Sequence, residues 1–212
     1  MSSTAAPKLK RRKADRPDEI VAAAFQVFAK KGFAAARLED IAARAGVSKG
    51  AIYLYFATKE DVFRAVVEQA VAPHLAQVRA AVAAPSHAFP DLLRDIVPTM
   101  AGLAASSPLG GVLKMVVGES RNFPHLAQAW HDTLVAPALA AMTAAIAAAQ
   151  ARGELRPCDP RQAAIGLVAP MLVGVIWRET FVPVGAAPLD IPALARQHVE
   201  TWLGGMSAGA AG

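Results

Sequence analysis

The chain has 212 residues, of which 54% are hydrophobic and 18% are charged, a composition that supplies a buried core and excludes a disordered chain. Its single cysteine excludes an internal disulfide and a thiolate metal cage, and it favours a reduced, cytosolic location. The net charge of +5 is unevenly placed, because residues 1–66 carry 13 basic and 7 acidic side chains whereas residues 67–212 carry 9 and 10. A basic N-terminal part is expected of a module that binds a polyanion.

The first sixteen residues form a basic segment. Six of them are Lys or Arg and one is Asp, and no apolar stretch follows, so the segment lacks the pattern of a secretory signal. We predict a flexible arm over residues 1–16. An inert solubilising tail is the alternative, but an arm placed ahead of a DNA-binding motif is expected to touch phosphates or the minor groove.

Residues 38–56, LEDIAARAGVSKGAIYLYF, predict two short helices joined by a tight turn. Apolar residues recur at helical spacing in the first half, and Gly46 then supplies the conformational freedom that a helix C-terminus needs. Ser48 is a good N-cap for the second helix, since its hydroxyl accepts from free backbone N–H groups. With a first helix that begins near Pro17, this arrangement is typical of a helix-turn-helix, and two amphipathic core helices are the alternative.

The second helix of this motif and the turn after it carry side chains suited to nucleic acid. Small residues let the backbone approach base edges, and lysine and tyrosine suit phosphate oxygens. A further cation stands at the start of the next helix, where free backbone N–H groups favour phosphate. The residues predicted to meet DNA on these grounds are Ser48, Lys49, Gly50, Ala51, Tyr53, Tyr55 and Lys59.

The same residues resemble the N-terminal domain of the TetR family of bacterial transcriptional regulators. Family members often carry Thr at the place of Ala36, where it caps the second helix and touches phosphate, and Arg37 can replace the charge but not the cap. We therefore add Arg37 to the predicted DNA contacts. The matching pattern is Gly32-Phe33, Leu38-Glu39-Asp40-Ile41-Ala42, Ala45-Gly46-Val47-Ser48, Gly50-Ala51-Ile52-Tyr53-Leu54-Tyr55-Phe56 and Thr58-Lys59-Glu60-Asp61.

From about residue 67 the composition shifts to Ala, Val, Leu and Met with sparse charges. No strand-like alternation lasts long enough to propose a sheet. Clusters of Pro, Gly and Ser divide this part into predicted helices over 74–84, 90–105, 108–121, 124–152, 161–182 and 190–204. The chain is therefore predicted to be all-α, with an N-terminal three-helix helix-turn-helix head (17–66), a larger helical ligand-binding and dimerisation body (67–204) and a disordered tail (205–212).

Two helices of the body predict a homodimer interface. No charged residue lies between Ala163 and Trp177, so helix 161–182 must be buried on every face, and a second copy would bury it more easily than the chain alone. An arginine at Val175 is then expected to break the dimer. In proteins like TetR, this helix and helix 190–204 pair with their copies as a four-helix bundle. The predicted stripe on the last helix is Ile191, Leu194, Ala195, His198 and Trp202.

The apolar body also offers room for a ligand, and the family resemblance implies a small-molecule inducer site there. The alternative is that the same residues are ordinary core, which is the commoner role of apolar residues at helical spacing. The candidate lining residues are Met100, Leu103, Met115, Trp130, Leu134, Met171 and Trp177.

The sequence gives no support for a catalytic site, a metal site, a cofactor or a membrane span. The five histidines lack metal-ligand spacing, and no glycine-rich loop has phosphate-binding spacing. Residues 133–151 are uncharged, but they are mostly alanine, which is too weakly apolar for a convincing membrane helix.

These patterns predict a cytoplasmic, dimeric DNA-binding regulator, with a repressor as the favoured form. A small apolar ligand would release it from a palindromic double-stranded operator by changing the separation of the two heads. Two alternatives remain open. One is an architectural DNA-binding dimer without an inducer, and the other is a helical carrier or enzyme with an incidental head.

Overall fold

The computed structural model describes residues 16–69, 76, 88–107 and 109–206. All regular elements within these ranges are helices, which confirms the predicted all-α class. The predicted arm lies outside the described residues except for Arg16, and the predicted helix 74–84 lies outside them except for Ala76.

Within the described residues, four helices belong to the N-terminal part of the chain. Their apolar residues recur at helical spacing, so each helix turns one side toward a shared interior. In chain order they are α1 (Arg16–Ala35), α2 (Leu38–Ala45), α3 (Lys49–Ile52) and α4, which is described over residues 59–69.

Glycines mark the ends of these short helices and capping side chains mark their starts, and the structure confirms the predicted roles of Gly46 and Ser48. Gly32 adopts φ 75° and ψ 165°, which breaks α1 near its end, and Gly46 adopts φ 68° as the C-cap of α2. The Ser48 hydroxyl accepts from the backbone N–H of Ala51 at 3.2 Å. Thr58 and Asp61 form a capping box at the start of α4, since each side chain accepts from the other residue's backbone N–H at 3.1 Å.

The start of α2 differs from the expectation drawn from the family. Its N-cap is Arg37, whereas Ala36 is buried ahead of the helix. The Asp40 carboxylate accepts from the backbone N–H of Arg37 at 3.2 Å. The carboxylate within the helix therefore ties down the helix start, and a threonine hydroxyl at position 36 is not needed for this hydrogen bond.

Six α-helices follow in the described part of the body. Their bounds lie within two residues of most of the predicted ones. In chain order they are α5 (Phe89–Ser106), α6 (Leu109–Glu119), α7 (Pro124–Trp130), α8 (Ala136–Ala151), α9 (Pro160–Thr180) and α10 (Ile191–Met206).

The predicted helix 124–152 contains a break in helical type. Residues His131–Val135 form a π-helical turn between α7 and α8, and Ala136 N–H bonds to the carbonyl of His131. Pro137 has no N–H to pair with the carbonyl of the residue four positions earlier, and its ring crowds that carbonyl, so a wider turn accommodates it.

The C-terminal tail is predicted to begin at residue 205, which is too early. Helix α10 continues to Met206, whose side chain is buried.

The buried residues form two clusters that do not follow the predicted division at residue 66. The first cluster joins α1–α4 to α6 and α7, and it includes Phe28, Phe33 and Trp130. The second cluster is formed by α5 and α8–α10, with Leu155 from the loop between α8 and α9. In this packing α6 and α7 belong with the N-terminal helices, and the division at residue 66 stays a prediction.

Helix α9 has two different apolar sides, which corrects the expectation that it is buried on every face without distinction, because the chain itself buries one side and leaves the other exposed. One side packs into the second cluster and includes Val175, which is 5% exposed. An arginine at this position would therefore enter the protomer's own core and would not test a dimer. The apolar side chains that α9 leaves exposed are Ile165, Val168, Leu172, Val173 and Ile176.

Two helical stretches of the described chain are long and apolar enough to cross a membrane by length and composition alone. They are Pro124–Ala151 and Pro160–Val184, with mean hydropathy 1.7 and 1.5. The first stretch is apolar chiefly through alanine and includes the exposed pair His131 and Asp132. The predicted absence of a membrane segment stays a prediction.

Candidate nucleic-acid interface

The segment formed by α3 and the turn after it is held as a rigid projection on the head. Ile52 is fully buried and anchors it. Backbone N–H groups of Leu54 and Tyr55 bond to the carbonyls of Ala51 and Ile52 at 3.3 and 3.0 Å. Because the turn is closed by these bonds, the residues on its outer side are presented in a fixed arrangement.

Lys49 is exposed at the start of α3, as predicted, but its ammonium has a partner in the protein. It lies 2.7 Å from the Glu39 carboxylate of α2. The hydrogen bond and the charge of Glu39 raise the pKa of Lys49, and the bond from Lys49 is the first cause that lowers the pKa of Glu39. A phosphate that binds Lys49 must therefore compete with this carboxylate.

Gly50 is exposed, and nothing in the described structure requires a glycine at this position. A Cβ atom placed on it would meet nothing within 4 Å, and its backbone is not in the left-handed region. A requirement for close approach by an outside molecule would account for glycine at this position. The predicted role of Gly50 at the DNA is consistent with this open space.

The other residues of the segment divide into outward and inward groups. Tyr53 is 47% exposed, as predicted, and Ala51 is half-buried. Tyr55, which the sequence predicts to face outward, is half-buried and packs against the first core cluster. Leu54 is absent from the predicted contacts because it is apolar, yet it is 80% exposed. Its position two residues after the buried Ile52 is the signal that could have found it.

The ammonium of Lys59, which the sequence predicts to contact a phosphate at the start of α4, bonds to the protein's own backbone. Its ammonium donates to the backbone carbonyls of Phe33, Ala34 and Ala36 at 2.9, 3.1 and 3.4 Å. It also lies over the Phe33 ring, 4.5 Å from the centroid. These carbonyls follow the break at Gly32, at the end of α1 where helices leave carbonyls without intrahelical partners, so Lys59 completes the connection between α1 and α2. A phosphate contact by this side chain stays a prediction and would require exchange of these acceptors.

The remaining predicted contacts, Arg37 and Ser48, lie at the starts of α2 and α3. Both residues are exposed. Helix N-termini offer N–H groups and a positive dipole end to anions, so the two positions suit phosphate contacts. The structure thus brings Arg37, Ser48, Lys49, Gly50 and Tyr53 to the exterior of the helix-turn-helix, and their contact with DNA stays a prediction.

The head is joined to the body through the end of α6 and the start of α7. The Glu119 carboxylate lies 3.5 Å from the backbone N of Ala34. The Phe33 ring packs against Phe123 with centroids 5.0 Å apart, and Glu60 lies 3.8 Å from the ring nitrogen of His125. The turn between α1 and α2 therefore contacts α6 and α7 directly, and a displacement of these helices would reach the head.

The seven candidate ligand residues are not brought together at one place. Trp130 is buried in the first core cluster, and Met115 and Leu134 pack against it. Met171 belongs to the second cluster, and Met100 packs against that cluster. Leu103 is half-buried on α5. Trp177 packs on Phe181 near the end of α9, with ring centroids 5.1 Å apart, and its indole N–H donates to the Ala187 carbonyl.

Comparison with family models identifies both parts of the chain. A model described as bacterial regulatory proteins, tetR family, matches residues 20–66. A second, described as the C-terminal domain of AefR-like transcriptional repressors, matches residues 91–205, which is more than half of the chain. The chain belongs to the TetR family. The TetR family is one of transcriptional regulators, which is the class supported for this protein.

Matches to individual relatives support this assignment, and the matched segments differ in length. The uncharacterized regulator YfiR of Bacillus subtilis is 41% identical over 63 residues, covering 29% of this chain and 31% of YfiR. The match thus spans less than a third of that relative. Among solved structures, the fatty acid degradation regulator FadR of Bacillus halodurans has a TM-score of 0.73 at 25% identity, covering 89% of this chain and 98% of FadR.

A second structural relative is SmeT, the repressor of the multidrug efflux pump SmeDEF of Stenotrophomonas maltophilia, in its complex with triclosan. It has a TM-score of 0.76 at 24% identity, covering 92% of this chain and 93% of SmeT. At this identity the likeness establishes the shared TetR-family fold. It extends through the head and the body together.

Proposed function

We propose that this TetR-family protein is a dimeric repressor that a small apolar ligand releases from a palindromic DNA operator. The observation that carries the DNA-binding part is the rigid α3 segment, which presents Lys49, Gly50 and Tyr53 outward on the head. The excess of basic side chains in residues 1–66 supplies attraction to phosphates. The match to the C-terminal domain of transcriptional repressors supports repression.

The exposed side of α9 supports the dimer. Its five apolar side chains are 37–62% exposed, and they recur at helical spacing along one face. In water, an apolar face of this kind is best covered by another protein surface. A second copy supplies the same face by two-fold symmetry. Dimerisation would also present two heads, which a palindromic operator requires.

The ligand part of the proposal has support from a relative and from the junction between head and body. SmeT binds triclosan, a small apolar molecule, in a structure that shares this fold. A ligand that prefers one arrangement of the body would shift the separation of the two heads and lower operator affinity by its differential affinity. Contacts of Glu119 and Phe123 with the α1–α2 turn offer a route for that shift.

Selection of bound duplexes from a random pool with the full chain tests the DNA-binding part. We expect a palindrome with half-sites about 34–36 Å apart. Lys49→Ala should weaken binding to it roughly fivefold, because the variant has no ammonium to bond a phosphate. Arg196→Ala removes an exposed cation from α10 and serves as the matched control. A pool that yields no preferred sequence would contradict the proposal and favour an architectural DNA-binding protein.

Triclosan is the probe for the ligand part. Binding should raise the melting temperature and change the emission of the body's tryptophans, Trp130, Trp177 and Trp202. It should also weaken operator binding, and operator should weaken triclosan binding by the same factor. Triclosan that binds without any effect on DNA affinity would favour a carrier, and triclosan that does not bind would contradict the ligand part.

A further inference from the structure

Leu54 is the most exposed large apolar side chain among the residues that the structure describes. Its exposed fraction is 80%, whereas Ile52, two residues earlier, is fully buried. The backbone N–H of Leu54 bonds to the Ala51 carbonyl at 3.3 Å, so the side chain is held outward by a closed turn. Exposure of a leucine in a fixed position places an apolar group where an outside molecule can contact it.

The surroundings of Leu54 favour nucleic acid as that molecule. It belongs to the same exposed segment as Lys49, whose side chain is 66% exposed, and Tyr53. The open space at Gly50 allows a close approach of the backbone. A protein partner that covered an apolar patch would be expected to meet several apolar side chains, but Leu54 stands among cationic, hydroxyl-bearing and small residues.

The chemistry of base edges narrows the contact to one group. In the major groove, the edges present hydrogen-bond donors and acceptors, and the one apolar group among them is the 5-methyl of thymine. The leucine side chain cannot form hydrogen bonds. If it packed against a donor or acceptor of a base, that polar group would lose its water and gain no hydrogen bond in return. We propose that Leu54 packs against a thymine methyl and selects thymine at one position of each half-site. This inference rests on the proposed DNA-binding function.

Replacement of thymine by deoxyuridine tests the contact, because it removes the methyl group and keeps the base-pairing edge. The full chain is measured on the duplex selected from a random pool, with each thymine replaced in turn. We expect one thymine per half-site whose replacement weakens binding about fourfold, the effect of one buried methyl-sized group. Leu54→Ala should lose this sensitivity, and Leu54→Met should keep it.

The control is Val184→Ala, which shortens an apolar side chain that is 79% exposed in the body. It should give the wild-type response to every deoxyuridine. Equal responses of the wild type and Leu54→Ala at all positions would overturn the contact, and so would a selected half-site without thymine. Failure of the pool to yield any preferred sequence would instead contradict the proposed function, and this contact with it.

Discussion

At the residue scale, we expect the pair between Lys49 and Glu39 to govern how readily the candidate recognition helix accepts a phosphate. Glu39→Gln removes the competing carboxylate 2.7 Å from the ammonium. We expect operator affinity to rise roughly two- to fivefold, the scale of an exposed ion pair. Glu68→Gln removes the same charge from an exposed position on α4 and is the control. Fluorescence anisotropy of a labelled operator measures both, and an unchanged or lower affinity for Glu39→Gln would contradict this role.

The pH dependence of this pair follows from the directions of its pKa shifts. Glu39 has a lowered pKa, so its contribution to stability is present above its usual pKa and is lost as the pH falls through the lowered value. Lys49 has a raised pKa, so its contribution is present below its usual pKa and is lost as the pH rises through the raised value. Both losses lie outside the neutral range. The effect of Glu39→Gln on DNA affinity should therefore be equal at about pH 6 and pH 8.

Lys59 provides a second test on a single side chain. Lys59→Met keeps a long apolar stem but removes the ammonium that satisfies three carbonyls of the α1–α2 connection. We expect the free energy of unfolding to fall by about 1–2 kcal/mol, since hydrogen bonds to a charged donor are lost at a half-buried site. Urea denaturation measures it. Arg64→Met, on the exposed side of α4, should leave stability nearly unchanged, and equal values for both variants would refute the structural role of Lys59.

The sequence predicts the turn at Gly46 and the cap at Ser48, but it does not predict the surroundings of Tyr55, Lys59 and Leu54. Gly46, Ser48 and Thr58 act locally, so their turn and cap roles can be predicted from neighbours three or four residues away. Lys59 bonds to carbonyls 23–26 residues earlier in the chain, and no local pattern reports such partners. The exposure of Leu54 is not predicted because apolar residues are usually buried, although its position two residues after the inward-facing Ile52 carries that signal.

At the element scale, α9 separates the protomer's core from the proposed dimer interface. Val173→Arg places a charge on the exposed side, where Val173 is 62% exposed. We expect this variant to sediment as a monomer with its helical content retained, because a second copy can no longer bury that face. Val117→Arg, at a 61% exposed position on α6, should remain a dimer. A Val173→Arg variant that sediments as a dimer would place the interface elsewhere.

The neighbouring substitution Val175→Arg should act differently because Val175 faces inward. An unpaired charge would be forced into the second core cluster. We expect the free energy of unfolding to fall by about 3 kcal/mol or more, with loss of cooperative melting. Thermal unfolding followed by circular dichroism distinguishes the two variants, and equal stability for Val173→Arg and Val175→Arg would contradict the assignment of faces.

Helix bounds are more predictable than helix faces. The sequence predicts helices over 90–105 and 161–182, and the structure has Phe89–Ser106 and Pro160–Thr180. Proline and charged residues mark these ends in the sequence. Between Ala163 and Trp177, however, every position lacks a charge, so no period in polarity distinguishes the core side from the exposed side. Packing against α6, α8 and α10 separates them.

At the scale of the whole molecule, the two core clusters provide a physical connection between the head and the body. The first cluster holds α6 and α7 against the N-terminal helices, and the second holds α9, which carries the proposed dimer face. Helix α6 also packs against α9, where the Lys114 ammonium donates to the Glu179 carbonyl at 2.5 Å. A change in one cluster can therefore reach the other through α6, as a ligand-controlled regulator would require.

The basic arm adds a prediction about the intact protein on DNA. Residues 1–14 contain Lys8, Lys10, Arg11, Arg12 and Lys13. Deleting them should flatten the slope of log K against log salt concentration by about 0.9 for each phosphate that the arm neutralises. A variant with the five cations replaced by Gln keeps the arm's length and should give the same flattening. An unchanged slope would mean that the arm is an inert tail.

In the proposed dimer, two heads read two half-sites at a fixed separation. Inserting five base pairs, about half a helical turn, between the half-sites of the selected palindrome tests it most directly. We predict that affinity for the full chain falls about a hundredfold, since only one head can then bind, while a single half-site binds as weakly as the spaced duplex. Equal affinity for the natural and the spaced palindrome would contradict the account.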